Sequence, residues 1–94
     1  MHVRVTRGTV NPDHADEVVV LTEEIAEAMK KLPGFRSYHG GLNRSMGTLV
    51  AISTWEDADA ANFPRESLGD VLTRVFKLGV RLEPADVYEV VRSV

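Results

Sequence analysis

An α+β fold of β-α-β-β-α-β order is predicted by three features of the chain. Four stretches, His2–Thr9, Phe35–Asn43, Thr48–Trp55 and Asp86–Ser93, have the composition of strands. Two others, Asn11–Leu32 and Glu66–Leu78, carry apolar residues at helical spacing. The strands Phe35–Asn43 and Thr48–Trp55 are close enough in sequence to form a hairpin. Right-handed crossovers turn this order into a four-stranded antiparallel sheet with both helices on one face, the ferredoxin-like arrangement.

Each element has its own justification. In His2–Thr9, Val3 and Val5 fall on one face and His2, Arg4 and Thr6 on the other. Asn11 can cap the first helix, Pro12 suits its first position, and Asp13, Asp16 and Glu17 place negative charge at the positive end of its dipole. Val18, Leu21, Ile25, Ala28 and Leu32 form one apolar stripe. Lys30 and Lys31 suit the last turn, and Pro33-Gly34 ends the helix. Gly40-Gly41 in the second strand is expected to mark a bulge or a close approach. Arg44–Gly47 is the connection to the third strand, whose centre, Leu49-Val50-Ala51-Ile52, is continuously apolar. In an antiparallel sheet such a run needs cover on both faces. The helices cover one face, and a second copy of the chain is expected on the other, giving a homodimer through the open sheet face.

After the hairpin, Asp57 is positioned to cap a short helix over Ala58–Asn62, which Pro64 ends. Leu68, Val71, Leu72, Val75 and Leu78 are the stripe of the second long helix, with Gly79 just past its end. Gly69 inside that helix costs roughly 1 kcal/mol relative to alanine and is expected to permit a close contact. Leu82-Glu83-Pro84 connects to the last strand, where Tyr88, Val90 and Arg92 share a face.

Composition narrows the function. The 94 residues are expected to form one domain, 1–94. A chain of this size buries about 60–65% of its unfolded surface and gains from a partner. With 44% hydrophobic residues, 27% charged and a net charge of −3, it lacks the basic face that nucleic acid requires. It has no cysteine, hence no disulfide, thiolate metal site or cysteine nucleophile, which fits a reducing compartment. No apolar run approaches the roughly 20 residues that span a bilayer, and MHVRVTRGTV alternates where a signal peptide would be continuously apolar. The expectation is a cytoplasmic protein with no membrane or nucleic-acid partner. His2, His14 and His39 have no metal-ligand spacing, and no glycine-rich loop opens a helix to cradle phosphate.

The order of elements, Pro33-Gly34-Phe35 at the start of the second strand and Trp55-Glu56-Asp57 after the third resemble the antibiotic biosynthesis monooxygenase family. The likeness covers nearly the whole chain. It implies a dimeric α+β barrel, in a family that includes cofactor-independent monooxygenases of quinols and polyketide phenols, and haem-degrading enzymes. Fold follows from such a resemblance more strongly than reaction. In the quinone-forming members an asparagine four residues before the tryptophan is a catalytic candidate; that position here is Ala51. The haem-degrading members use an asparagine on the first strand and a histidine on the helix after the tryptophan, and this chain has neither. No cofactor is expected.

Seven residues are candidates for a site. Trp55 could be a stacking wall for a flat aromatic molecule or a core anchor for its strand. His39 could take a phenolic proton, since histidine ionises near neutral pH, or lie in a dimer contact. Asn62 could bond a ligand or simply end a helix. Ser37 and Ser53 could line the same pocket, with Phe76 as a second aromatic wall and Tyr88 as a hydrogen-bond donor. Hairpin register decides their grouping, because a one-residue slip reverses every side chain. A three-residue connection gathers Ser37, His39, Ala51, Ser53 and Trp55; a four-residue connection groups Trp55 with Arg36 and Tyr38. Two functions follow. One is a monooxygenase acting without cofactor on a small aromatic phenol or quinol, with His39, Trp55 and Asn62 as catalytic residues. The other is a dimeric small-molecule-binding protein with no turnover, which Ala51 favours.

Overall fold

The computed structural model describes residues 1–94. The elements are β1 (His2–Thr9), α1 (Ala15–Lys30), β2 (Phe35–Asn43), β3 (Thr48–Trp55), α2 (Ala58–Ala61), α3 (Val71–Lys77), β4 (Arg81–Leu82) and β5 (Asp86–Glu89). Single 3-10 turns at Pro12–His14 and Arg65–Leu68 precede α1 and α3. The sheet is antiparallel, with β2 at one edge, then β3, then β1, and with β4 and β5 both on the far side of β1. This is the ferredoxin-like strand order with its fourth strand broken in two.

The break corrects the expected four-stranded sheet to five strands. Gly8 and Thr9 pair with β4, while His2 to Val5 pair with β5. Pro84 lies between them and has no N–H to give the ladder. The Glu83 amide still donates to the Arg7 carbonyl at 2.8 Å, so the chain stays on the sheet across the gap. β5 ends at Glu89, short of the expected Ser93, and one further backbone bond follows it, from the Val90 amide to the Met1 carbonyl at 3.0 Å.

The helix starts behave as their sequence dictates. The Asn11 side chain accepts from the Asp13 amide at 3.0 Å, and Asp57 accepts from the Ala60 amide at 2.8 Å. The expected helix Glu66–Leu78 is divided, however. Gly69 adopts φ +75° and ψ −151°, a conformation essentially reserved for glycine, and it separates the 3-10 turn from α3. No atom lies within 4 Å of where its Cβ would stand. Gly69 is therefore a backbone break and not the close contact expected of it.

Register fixes the two faces of the sheet. Across β2, β3 and β1, one row joins Tyr38, Ser53 and Arg4, the next Gly40, Ala51 and Thr6, and the next Leu42, Leu49 and Gly8. These rows face the helices. Val3, Val5, His39, Val50, Ile52 and Tyr88 alternate onto the opposite, open face. The core lies between sheet and helices in two clusters. One gathers Trp55 with Met29, Ala61, Phe63, Leu68, Val71 and Leu72; the other holds Val10, Val18, Val75 and Val80. Leu21, Ile25, Ala28 and Leu32 of the expected stripe pack against these clusters from α1 and its end. No helix is long and apolar enough to cross a membrane.

Gly69 supplies a direct test of the divided helix. Gly69→Ala is expected to lower stability by about 1–3 kcal/mol, although the added methyl meets nothing. The check is a lower urea midpoint at unchanged slope.

Candidate functional site

The row Gly40, Ala51 and Thr6 carries no large side chain, so sheet and helices do not close over it. The result is a cavity of about 160 Å³. Its roof comes from α1 (Val18, Thr22, Ile25, Met29) and from Leu68, Leu72 and Val75. A Cβ on Gly40 would stand 3.2 Å from the Tyr38 hydroxyl, so any larger residue there would encroach on the tyrosine. The walls are mainly aliphatic; the polar exceptions deep in the sheet are Arg4, Thr6 and Tyr38.

Arg4 is 8% exposed. Its Nη1 donates to the carbonyls of Ala61 at 3.0 Å and Phe63 at 2.8 Å, and its guanidinium carbon lies 3.9 Å from the centre of the Phe63 ring. Burial, and then the neighbouring Arg65 guanidinium, lower its pKa from the ordinary arginine value. The Tyr38 hydroxyl bonds no protein group, and burial raises its pKa above the ordinary tyrosine value. Thr22, by contrast, is occupied: its hydroxyl donates to the Val19 carbonyl at 2.6 Å.

The candidate residues do not converge on this cavity. Four residues, Arg44–Gly47, separate the strands, and Tyr38 lies opposite Ser53. His39 therefore points away from Trp55, onto the open face, and is exposed. Ser37 is on that face too, its hydroxyl 2.6 Å from that of Thr54. Arg36 falls in the irregularity between Phe35 and Ser37, which is where the bulge lies, not at Gly40-Gly41. Trp55 is fully buried. Its Nε1 donates to the Ser53 hydroxyl at 2.8 Å, and its ring centre lies 5.5 Å from that of Phe35 and 5.0 Å from that of Phe63. Trp55 and Ser53 thus satisfy each other behind the cavity. The Asn62 side chain donates to the Ala58 carbonyl at 2.9 Å and faces solvent at the end of α2. Phe76 and Tyr88 are 42% and 51% exposed, on α3 and the open face respectively. No three His, Asp or Glu side chains converge to hold a metal ion.

Sequence reasoning missed Arg4 and Thr6, which it placed on the face of the first strand opposite Val3 and Val5 without connecting them to a site. It reached Tyr38 only through the four-residue connection. The signal for that connection was present in Asn43 and Gly47. The Asn43 side chain accepts from the Ser45 hydroxyl and the Met46 amide, and Gly47 closes the turn at φ +65°.

The sequence model of the antibiotic biosynthesis monooxygenases matches residues 1–67. The chain belongs to this family. A search of curated proteins finds no sequence match. Among solved structures, it is similar to a Deinococcus radiodurans protein assigned to the antibiotic biosynthesis monooxygenases (TM-score 0.77, 19% identity, covering 100% of this chain and 96% of that one). It is also similar to SnoaB, a cofactor-independent oxygenase of Streptomyces nogalater (TM-score 0.67, 20% identity, 99% and 95% covered). A conserved protein of Methanosarcina mazei Go1 has TM-score 0.72 at 17% identity, with 94% and 91% covered. At these identities the likeness establishes the shared fold. Family membership and fold agree with the resemblance carried by Pro33-Gly34-Phe35 and Trp55-Glu56-Asp57.

Tyr38 provides a test of the site's burial. Its raised pKa means that the unfolded chain loses the phenolic proton first, near the ordinary value of 10. The stability contributed by burying neutral Tyr38 is full below that pH and falls as pH rises through the raised value. Tyr38→Phe is expected to lessen this alkaline loss, read as urea midpoints on either side of pH ~10.

Proposed function

We propose that the protein is a cofactor-independent monooxygenase that holds a single-ring phenol or quinol between its sheet and helices. The observation supporting this reading is the cavity of about 160 Å³. It is close to the engineered apolar cavity of about 150 Å³ that takes up benzene. Aliphatic walls exclude water from the ring, while Tyr38 and Thr6 offer hydroxyls to an oxygen substituent. Membership of the monooxygenase family, and a cofactor-independent oxygenase among the proteins of the same fold, support the reaction class.

The chemistry balances without a cofactor. A phenol and dioxygen give a para-quinone and water. One oxygen atom becomes the new carbonyl; the other leaves as water with the phenolic proton and the displaced ring hydrogen. The substrate supplies all the electrons. The protein's part is to position the ring, exclude water and stabilise the electron-rich form. With His39 on the open face, no histidine base serves the cavity, so the proton leaves through the ligand's own ionisation.

Ala51 supports a second reading, a binding protein with no turnover. It stands in the floor of the cavity where quinone-forming members carry their asparagine. In either reading we propose a homodimer in the cytoplasm. The open face presents Val3, Val5, Val50 and Ile52, and nothing in the protomer covers them.

Oxygen uptake over a panel of phenols and quinols, in the presence of a metal chelator, separates the readings. Turnover that disappears in Ala51→Leu, which fills the cavity, is the expected result. Saturable quenching of Trp55 fluorescence without uptake selects the binding protein. Uptake unaffected by Ala51→Leu would refute the cavity as the site. For the dimer, sedimentation is expected to give twice the 10.4 kDa chain mass at micromolar concentration, and Ile52→Glu to give the monomer. A wild-type monomer would sink this proposal.

A further inference from the structure

The cavity's polar groups are unbalanced. Arg4 carries five N–H donors, and its two bonds to the Ala61 and Phe63 carbonyls both come from Nη1. The Nε and Nη2 hydrogens have no acceptor in the protein. The ion pairs of the chain involve Arg7, His14, Lys30, Arg44 and Arg74, and no carboxylate reaches Arg4. The charge that acts on it is another cation, Arg65, which bonds the Glu83 carbonyl. Buried charges are ordinarily paired, because an unpaired one in an apolar setting is costly. Clamping two carbonyls accounts for one nitrogen of the guanidinium and leaves its charge unmatched.

The surroundings point the same way. Thr6 and Tyr38 line the same cavity, and neither hydroxyl bonds a protein group. Thr6 is one strand position pair from Arg4, and Tyr38 lies across Ser53 from it. Arg4, Thr6 and Tyr38 can all donate, and no carboxylate, carboxamide or histidine lines the cavity with them. The ionisable residues that line the cavity are Arg4 and Tyr38; Arg65 acts on Arg4 by its charge, and His2 lies two residues from Arg4 on the same face of β1 with its Nδ1 buried and unpartnered. Phe63 covers a face of the guanidinium, and its ring takes none of the Nε and Nη2 hydrogens as an acceptor in their plane.

We propose that the cavity takes its ligand as an oxyanion, a phenolate or carboxylate on one aromatic ring, with the charged oxygen at Arg4 and the ring among the aliphatic walls. This deepens the reading of the cavity as a single-ring aromatic site and rests on it. For a phenolic substrate it also names the group that holds the ionised, electron-rich form.

Binding of benzoate and of its neutral isostere benzamide to the wild-type protein, by calorimetry, tests the charge without any substitution. Benzoate is expected to bind roughly tenfold or more tighter, and to lose binding in Ala51→Leu. A second probe is 4-nitrophenol, which absorbs in the visible as the phenolate; its ionisation is expected to shift to lower pH when bound. Arg4→Met is expected to abolish both preferences, with circular dichroism reporting whether the variant folds; the wild-type comparison stands if it does not. Benzamide binding as tightly as benzoate, or 4-nitrophenol ionising at higher pH when bound, would overturn the oxyanion site. Benzoate preference without oxygen uptake on the panel refutes turnover and leaves the oxyanion site standing. Uptake without benzoate preference does the reverse. Binding of neither probe overturns the proposal and the aromatic cavity with it.

Discussion

One guanidinium ties the two ends of the site together. Arg4 on β1 donates to the carbonyls of Ala61 and Phe63, at and just beyond the end of α2. That helix has four residues and cannot be stable by itself. Asp57 satisfies its first turn, and Arg4 takes carbonyls that a helix end leaves without partners. Held there, Phe63 stacks on Arg4 on one side and meets Trp55 on the other, and Trp55 meets Phe35 edge-on. The aromatic end of the core is thus aligned by a charged residue on the first strand. Losing the clamp would leave buried carbonyls unsatisfied, at about 1–3 kcal/mol each.

The helix-facing side of the sheet is unusually polar for a core. Arg4, Thr6 and Ser53 are buried there, while Val3, Val5, Val50 and Ile52 face outward. Ser53 is used within the protein, by the Trp55 indole. Arg4, Thr6 and Tyr38 border the gap left by Gly40 and Ala51. Small residues in one row create the space, and donors in that row and the next give it chemical character. A site of this kind needs no catalytic motif in the sequence: it arises where three strands place modest residues side by side.

This explains what the sequence did and did not disclose. The helix caps at Asn11 and Asp57, the apolar stripe from Val18 to Leu32 and the hairpin were readable, because each depends on neighbours in sequence. The split at Gly69 and the broken last strand at Pro84 depend on single residues whose effect lies in backbone geometry. Arg4 and Thr6 were unreadable as cavity residues for a different reason. Polarity predicts exposure, and their burial depends on partners 57 and 59 positions away in the case of Arg4. The placement of His39 rested on the Arg44–Gly47 connection, whose four-residue length the sequence hinted at through Asn43 and Gly47.

The inverted polarity of β1 has a consequence for how the chain folds. Hydrophobicity alone would turn Val3 and Val5 inward and Arg4 outward, so β1 taken by itself favours the non-native face. The groups that hold Arg4 inside, the Ala61 and Phe63 carbonyls, lie 57 and 59 positions further along the chain. The facing of β1 is therefore set by a contact of high sequence separation, the kind whose loop-closure entropy slows folding.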